Sequence, residues 1–77
     1  MRRVILYTRA GCYLCDDAKS VLERARLKIP FAYDEVDIDR DPQLQRLYTD
    51  QVPVISIDGV QAFTYRVDLP ELLRRLR

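Results

Sequence analysis

The chain has 77 residues, of which 48% are apolar, and its 13 basic and 12 acidic side chains leave a net charge of +1. A chain of this length predicts one small domain over residues 1–77, and its near-neutral charge favours neither nucleic acid nor a membrane as partner. The absence of histidine excludes Cys–His and Ser–His nucleophiles and every metal site that needs an imidazole. No segment has the pattern of a signal peptide or a membrane span, so we expect a monomer in the cytoplasm, where thiols are reduced.

The first half of the chain predicts two strands joined by a helix. The apolar run Val4–Tyr7 indicates a buried strand. From Leu14 to Ala25, apolar residues recur at the three- and four-residue spacing of a helix, which ends before Pro30. The segment from Phe31 to Asp39 alternates apolar and polar residues near its end and predicts a second strand.

The second half predicts a short helix, a hairpin and a last helix. Asp41 and Pro42 are typical of a helix start, and we expect that helix to bury Leu44, Leu47 and Tyr48. The predicted strands are 52–57 and 60–65, joined by Asp58 and Gly59, and Asp68 caps the last helix. The order β-α-β-α-β-β-α predicts an α/β fold with a four-stranded mixed sheet and helices on both faces.

The only two cysteines, Cys12 and Cys15, lie where the first strand gives way to the first helix. A Cys-x-x-Cys pair at such a junction is a redox signature. Free N–H groups and the helix dipole favour a thiolate at Cys12, so we expect its pKa to lie below the ordinary value. A positive charge on nearby Arg9 would add to this effect and the carboxylates of Asp16 and Asp17 would oppose it, a balance that the sequence leaves open. Cys15 lies one turn further into the helix and is the predicted resolving thiol.

Other uses of the two cysteines are a structural disulfide, a shared metal cluster and an interaction module in which they are idle. A bridge closing a four-residue loop stabilises by only about 2 kcal/mol, against nearly 5 for a loop of about 100 residues. A metal or iron–sulfur cluster would need carboxylates or a second chain, because no further cysteine and no histidine is present. These considerations favour a reversible dithiol and predict no resident metal.

Four stretches together resemble the glutaredoxin-like family of the thioredoxin fold: residues 6–19, 36–39, 52–54 and 58–59. The resemblance covers nearly the whole chain. It implies a thioredoxin/glutaredoxin-like fold and a thiol–disulfide oxidoreductase acting on protein or glutathione mixed disulfides. The implied partners are protein disulfides or low-molecular-weight thiols and an external reductant. No tightly bound cofactor is implied, and glutathione would enter as a co-substrate.

The resemblance also implies a set of substrate-binding residues. Pro53 would be a cis proline beside the dithiol, leaving the backbone of Val52 free to pair with an extended substrate. Arg9 would contact a glutathione carboxylate, unless it is a solvated arginine. Asp68 would bind the γ-glutamyl end of glutathione, unless it serves only as a helix cap. Tyr13, between the two cysteines, is expected to be exposed and to contact the substrate.

Two departures from the family pattern bear on the substrate. The Cys-Tyr-Leu-Cys motif lacks the proline that follows the first cysteine in classical members. Tyr65 stands where those members carry a Gly-Gly pair that lets the backbone approach glutathione. The choice between glutathione and a protein disulfide therefore stays open at the level of sequence.

Overall fold

The structure, a computed structural model, describes residues 1–77. Its elements are β1 (Arg3–Thr8), α1 (Tyr13–Lys28), β2 (Ala32–Asp37), a 3₁₀ helix (Ile38–Arg40), α2 (Pro42–Tyr48), β3 (Val54–Ile57), β4 (Val60–Thr64) and α3 (Leu69–Leu76). The predicted β-α-β-α-β-β-α order is confirmed, with the 3₁₀ helix added. None of the helices combines the length and apolarity needed to cross a bilayer.

The four strands form one mixed sheet, as predicted, and their order in it is β2-β1-β3-β4. β1 is parallel to β2 and antiparallel to β3, and β3 and β4 form an antiparallel hairpin. In the β1–β3 pair, Tyr7 lies opposite Val54. The residues that follow Tyr7 and the residues that precede Val54 therefore meet at the same end of the sheet.

Helices cover both faces of the sheet, which confirms the predicted layers. Side chains of α1 and α3 pack with one face of β1 and β3 in the main core, which includes Leu6, Leu22, Ile55 and Leu72 at 1% exposure or less. On the opposite face, the ring of Tyr48 at the end of α2 packs on Tyr7 with 4.9 Å between centroids.

The second strand is shorter than predicted. It ends at Asp37, whose carboxylate accepts the N–H of Asp39 at 2.9 Å and so caps the 3₁₀ helix. Ile38 is fully buried, so the Val36–Asp39 alternation correctly marks it as a core residue. The prediction of a strand through Asp39 is wrong because the same alternation also fits a tight helical turn.

Three smaller expectations are corrected in the second half of the chain. β3 begins at Val54 rather than residue 52, and β4 ends at Thr64 rather than residue 65. The short helix α2 contains no buried residue: Leu44 and Tyr48 are half-buried and Leu47 is 61% exposed. The prediction that Leu47 is buried is therefore wrong, and Leu44 and Tyr48 are less buried than predicted. A helix of 7 residues covers too little of the sheet to bury its side chains fully.

The predicted turn and caps are confirmed. Asp58 and Gly59 adopt φ values of 53° and 83°, the left-handed pair that a tight two-residue hairpin requires. The carboxylate of Asp41 accepts the N–H of Gln43 at 2.9 Å at the start of α2. That of Asp68 accepts the N–H of Glu71 at 3.2 Å at the start of α3.

Candidate functional site

The two thiols lie at the start of α1, and they are unequal. Gly11, with φ at 76°, turns the chain after β1, and Cys12 follows in an extended conformation as the N-cap of α1. Its Sγ accepts the N–H of Cys15 at 3.2 Å. Cys12 is partly exposed, whereas Cys15 is 1% exposed and faces the protein interior, as predicted. Both are free thiols.

The pKa of Cys12 is raised above its ordinary value, contrary to the prediction. Burial of the Cys12 thiol is the largest cause, and its hydrogen bond with the thiol of Cys15 raises the pKa further. The backbone N–H groups of Cys15 and Leu14 lower it, but by less. The expected help from Arg9 is weakened because its guanidinium is paired with a carboxylate.

The Val52–Pro53 peptide bond is cis, which confirms the expectation for Pro53. The pairing of Tyr7 with Val54 places this bond at the end of the sheet where β1 leads into the dithiol turn. Neither the N–H nor the C=O of Val52 makes a hydrogen bond within the chain, since strand pairing begins only at Val54. Val52 therefore carries one backbone donor and one backbone acceptor without a partner in the chain, at the end of the sheet where β1 leads into the dithiol turn.

Arg9 makes three hydrogen bonds within the protein. Its Nε and Nη2 bind the carboxylate of Asp39 at 3.2 and 2.6 Å, and its Nη1 donates to the carbonyl of Thr49 at 3.2 Å. The pair lowers the pKa of Asp39 and raises the pKa of Arg9. The side chain of Arg9 is 27% exposed. The contact of Arg9 with a glutathione carboxylate stays a prediction.

The two remaining predicted residues lie at helix starts. Tyr13, the first residue of α1, is 75% exposed next to Cys12. Asp68 is the N-cap of α3, so the capping role considered for it is present. Contact of either side chain with a substrate stays a prediction.

Sequence reasoning missed two contacts made by side chains at this end of the sheet. It included Asp39 in the second strand without assigning it a partner, whereas the structure pairs it with Arg9. Tyr65 has φ at 64°, its N–H donates to the carbonyl of Pro53 at 2.9 Å, and its hydroxyl donates to the carbonyl of Asp50. The signal for a left-handed tyrosine was indirect: classical family members carry a Gly-Gly pair where Tyr65 stands, and glycine favours this conformation, which bulky residues rarely adopt.

A small groove of about 150 Å³ adjoins the dithiol. Its lining includes Leu14, which lies between the two cysteines, and the apolar side chains of Val21 and Val67. Tyr65 and Arg66, from the segment before α3, also line it. Ligand pockets for drug-sized molecules measure about 300–1,000 Å³, so this groove has the size for a single side chain.

Comparison with known proteins gives consistent matches over nearly the whole chain. Residues 3–77 match the family described as glutaredoxin-like domain (DUF836). The glutaredoxin-like protein YDR286C homolog of Dictyostelium discoideum is 35% identical over 72 residues, which cover 86% of this chain and 67% of that protein.

Two solved structures share the architecture. Protein Ne2328 from Nitrosomonas europaea superposes with a TM-score of 0.86 at 29% identity, covering 99% of this chain and 92% of that one. The glutaredoxin-like protein NrdH-redoxin from Escherichia coli, described as having a thioredoxin-like activity profile, gives a TM-score of 0.61 at 26% identity, covering 97% and 95%. The predicted thioredoxin-like fold is confirmed.

Proposed function

This chain belongs to the glutaredoxin-like domain family, and we propose that it is a thiol–disulfide oxidoreductase that reduces mixed disulfides of proteins or of glutathione. One observation carries the proposal. A partly exposed Cys12 caps α1 directly above a buried Cys15, and the unpaired backbone of Val52 lies at the same end of the sheet. The fold and the Cys12-x-x-Cys15 pair together support a redox role.

The proposed reaction is a two-step exchange in which two electrons pass from the dithiol to the substrate. The thiolate of Cys12 attacks one sulfur of the substrate disulfide, the S–S bond breaks, and the other sulfur leaves as a thiolate that takes up a proton. Cys15 then loses its proton and attacks Cys12 Sγ, which releases the second substrate thiol and forms the Cys12–Cys15 disulfide. A thiol donor reduces that disulfide and returns the enzyme to the dithiol.

The backbone around Cys12 supports the first step. The N–H groups of Cys15 and Leu14 lower the pKa of Cys12 and so stabilise negative charge on its sulfur. Because burial and the second thiol have the larger effect, the thiolate is the minor form of the free protein at neutral pH. Only the small fraction of protein molecules with a Cys12 thiolate can therefore attack, and this fraction rises with pH.

The compartment and partners follow as part of the proposal. A dithiol that must be returned to the reduced form suits the cytoplasm, where small thiols and reductases keep cysteines reduced. We propose a monomer that takes protein disulfides or low-molecular-weight thiols, with glutathione as one candidate co-substrate. NrdH-redoxin is described as a glutaredoxin-like protein with a thioredoxin-like activity profile. This description supports considering both glutathione and a reductase as the external reductant.

A shared iron–sulfur cluster is the alternative function on the same fold. The chain places no group of three or more histidine, cysteine, aspartate or glutamate side chains to hold a metal ion. A cluster would need ligands from a second chain or from a thiol. Anaerobic reconstitution with iron and sulfide tests this alternative, since a cluster would appear as a visible chromophore in a dimer.

The proposed reaction is tested with a peptide whose single cysteine carries glutathione. The wild-type protein is expected to release glutathione and to form its own intramolecular disulfide. Cys15→Ser should stop at a mixed disulfide on Cys12 that mass spectrometry detects, and Cys12→Ser should form none. A wild-type protein that leaves the peptide unchanged in the presence of a thiol reductant would contradict the proposal.

A further inference from the structure

Tyr65 adopts a backbone conformation that costs free energy. Its φ of 64° lies in the left-handed region, where a side chain crowds the backbone and glycine is favoured. Burial of the ring offers limited compensation, because Tyr65 is 48% exposed. An unfavourable conformation kept by a half-exposed residue at the end of the sheet that carries the dithiol suggests a role for its side chain.

Tyr65 makes hydrogen bonds to residues on both sides of Val52 in the chain. The hydroxyl donates to the carbonyl of Asp50, two residues before Val52, and the backbone N–H donates at 2.9 Å to the carbonyl of Pro53, the residue after it. From the other side, Nη1 of Arg9 donates to the carbonyl of Thr49 at 3.2 Å. The backbone of Val52 is thus held at both ends while its own N–H and C=O stay unpaired.

We propose that Tyr65 is a positioning residue that fixes the backbone of Val52 for pairing with an extended polypeptide disulfide. The proposal rests on the proposed function and narrows its substrate class to disulfides carried by a polypeptide backbone. A free donor and acceptor on one residue suit the backbone of an added strand. Holding that residue still before binding removes part of the ordering cost.

The role assigned to Tyr65 concerns binding and leaves the exchange chemistry to Cys12 and Cys15. Its loss should therefore raise the KM for a peptide disulfide and leave kcat unchanged. A small disulfide without a peptide backbone cannot pair with Val52, so its KM should not change. A residue that only supports the fold would alter both substrates alike.

The test compares Tyr65→Phe with wild type on two substrates, a cysteine peptide joined by a disulfide to glutathione and hydroxyethyl disulfide. Tyr65→Phe removes only the hydroxyl, and we expect a KM for the peptide about fivefold higher, the factor of one net hydrogen bond. The KM for hydroxyethyl disulfide and the alkylation rate of Cys12 should stay at the wild-type values. Tyr33→Phe is the matched control, because that hydroxyl binds Glu35 at 3.0 Å and Tyr33 pairs with Val4 near the opposite end of the sheet.

A second variant, Tyr65→Gly, separates positioning from folding. Glycine accepts the left-handed conformation, so the thermal midpoint should stay close to that of wild type while the KM for the peptide rises at least as much as in Tyr65→Phe. An unchanged peptide KM in Tyr65→Phe, or an equal rise for both substrates, would overturn the positioning role alone. A wild-type protein inactive on the peptide would refute the proposed function and this role with it.

Discussion

Iodoacetamide should modify Cys12 much faster than Cys15 in the reduced protein. Cys12 is partly exposed at the start of α1, whereas Cys15 is 1% exposed. A domain of 77 residues has a free energy of unfolding of about 4–12 kcal/mol, so global unfolding exposes Cys15 in about one molecule in 1,000 or fewer. Because Cys12 is itself partly covered, we expect its alkylation rate to exceed that of Cys15 by at least about a hundredfold.

The rates are measured one cysteine at a time. Cys15→Ser leaves only Cys12 and Cys12→Ser leaves only Cys15, and each is alkylated under the same conditions and followed by intact mass. The wild-type protein, alkylated to one equivalent and then digested, shows which cysteine is modified first. Alkylation in 6 M urea (roughly where small domains are unfolded) serves as the control, since both thiols should then react alike.

Comparable rates for the two single-cysteine variants in the folded state would refute the assignment of Cys12 as nucleophile. A faster reaction at Cys15 would refute it more strongly, since it would mean that α1 opens at its first turn more often than the rest of the fold. Either result would remove the basis for an ordered exchange. A ratio that disappears only in urea would show that the folded structure creates the difference between the thiols.

Three further outcomes follow from the packing and the charges. Because burial raises the pKa of Cys12 above the ordinary value of a cysteine thiol, its alkylation rate should still rise about tenfold per pH unit as the pH approaches that ordinary value, about 8.5; a rate that levels off below about pH 8.5 would contradict the raised pKa. Leu72→Ala, at a residue with 0% exposure, should lower the free energy of unfolding, measured with urea, by about 2–5 kcal/mol. Leu27→Ala, at 88% exposure, should change that free energy by less than about 0.5 kcal/mol. Since Arg9 lowers the pKa of Asp39 in the folded state, the stabilisation is present above the unfolded pKa and is lost as the pH falls through the folded one. Urea unfolding should accordingly show that wild type loses more stability than Asp39→Asn when the pH falls below 3.8, the ordinary pKa of an aspartate. Equal losses would argue against the ion pair of Arg9 and Asp39.

The parts of the fold that the sequence predicted best are those determined by a few neighbouring residues. The apolar run of β1, the turn at Asp58 and Gly59 and the caps at Asp41 and Asp68 are each decided within a few residues. The end of β2 was misplaced because the alternation from Val36 to Asp39 does not distinguish a strand from a strand followed by a 3₁₀ turn. The choice is made by the Asp37 carboxylate, which captures the N–H of Asp39.

The site was predictable in position and less so in electrostatics. The Cys-x-x-Cys pair and the cis Val52–Pro53 bond were anticipated from motif and resemblance. The direction of the Cys12 pKa shift depends on how deeply the sulfur is buried and on where the second thiol points, which only the folded chain decides. The partner of Arg9 lies 30 residues further along the chain, at Asp39, and spacing alone cannot find it.

The segment that presents Val52 owes its position to side chains from outside the element that precedes it. Apart from the Tyr48 ring on Tyr7, α2 provides little hydrophobic anchorage for the residues that follow, since none of its residues is fully buried. Arg9 instead holds the carbonyl of Thr49 from 40 positions away, and Tyr65 holds that of Asp50 from 15. Polar contacts to backbone carbonyls fix a loop without covering it, whereas apolar packing would bury the same surface. This arrangement holds the segment around Val52 while its own N–H and C=O stay without a partner in the chain, which is what the proposed pairing with an incoming polypeptide requires.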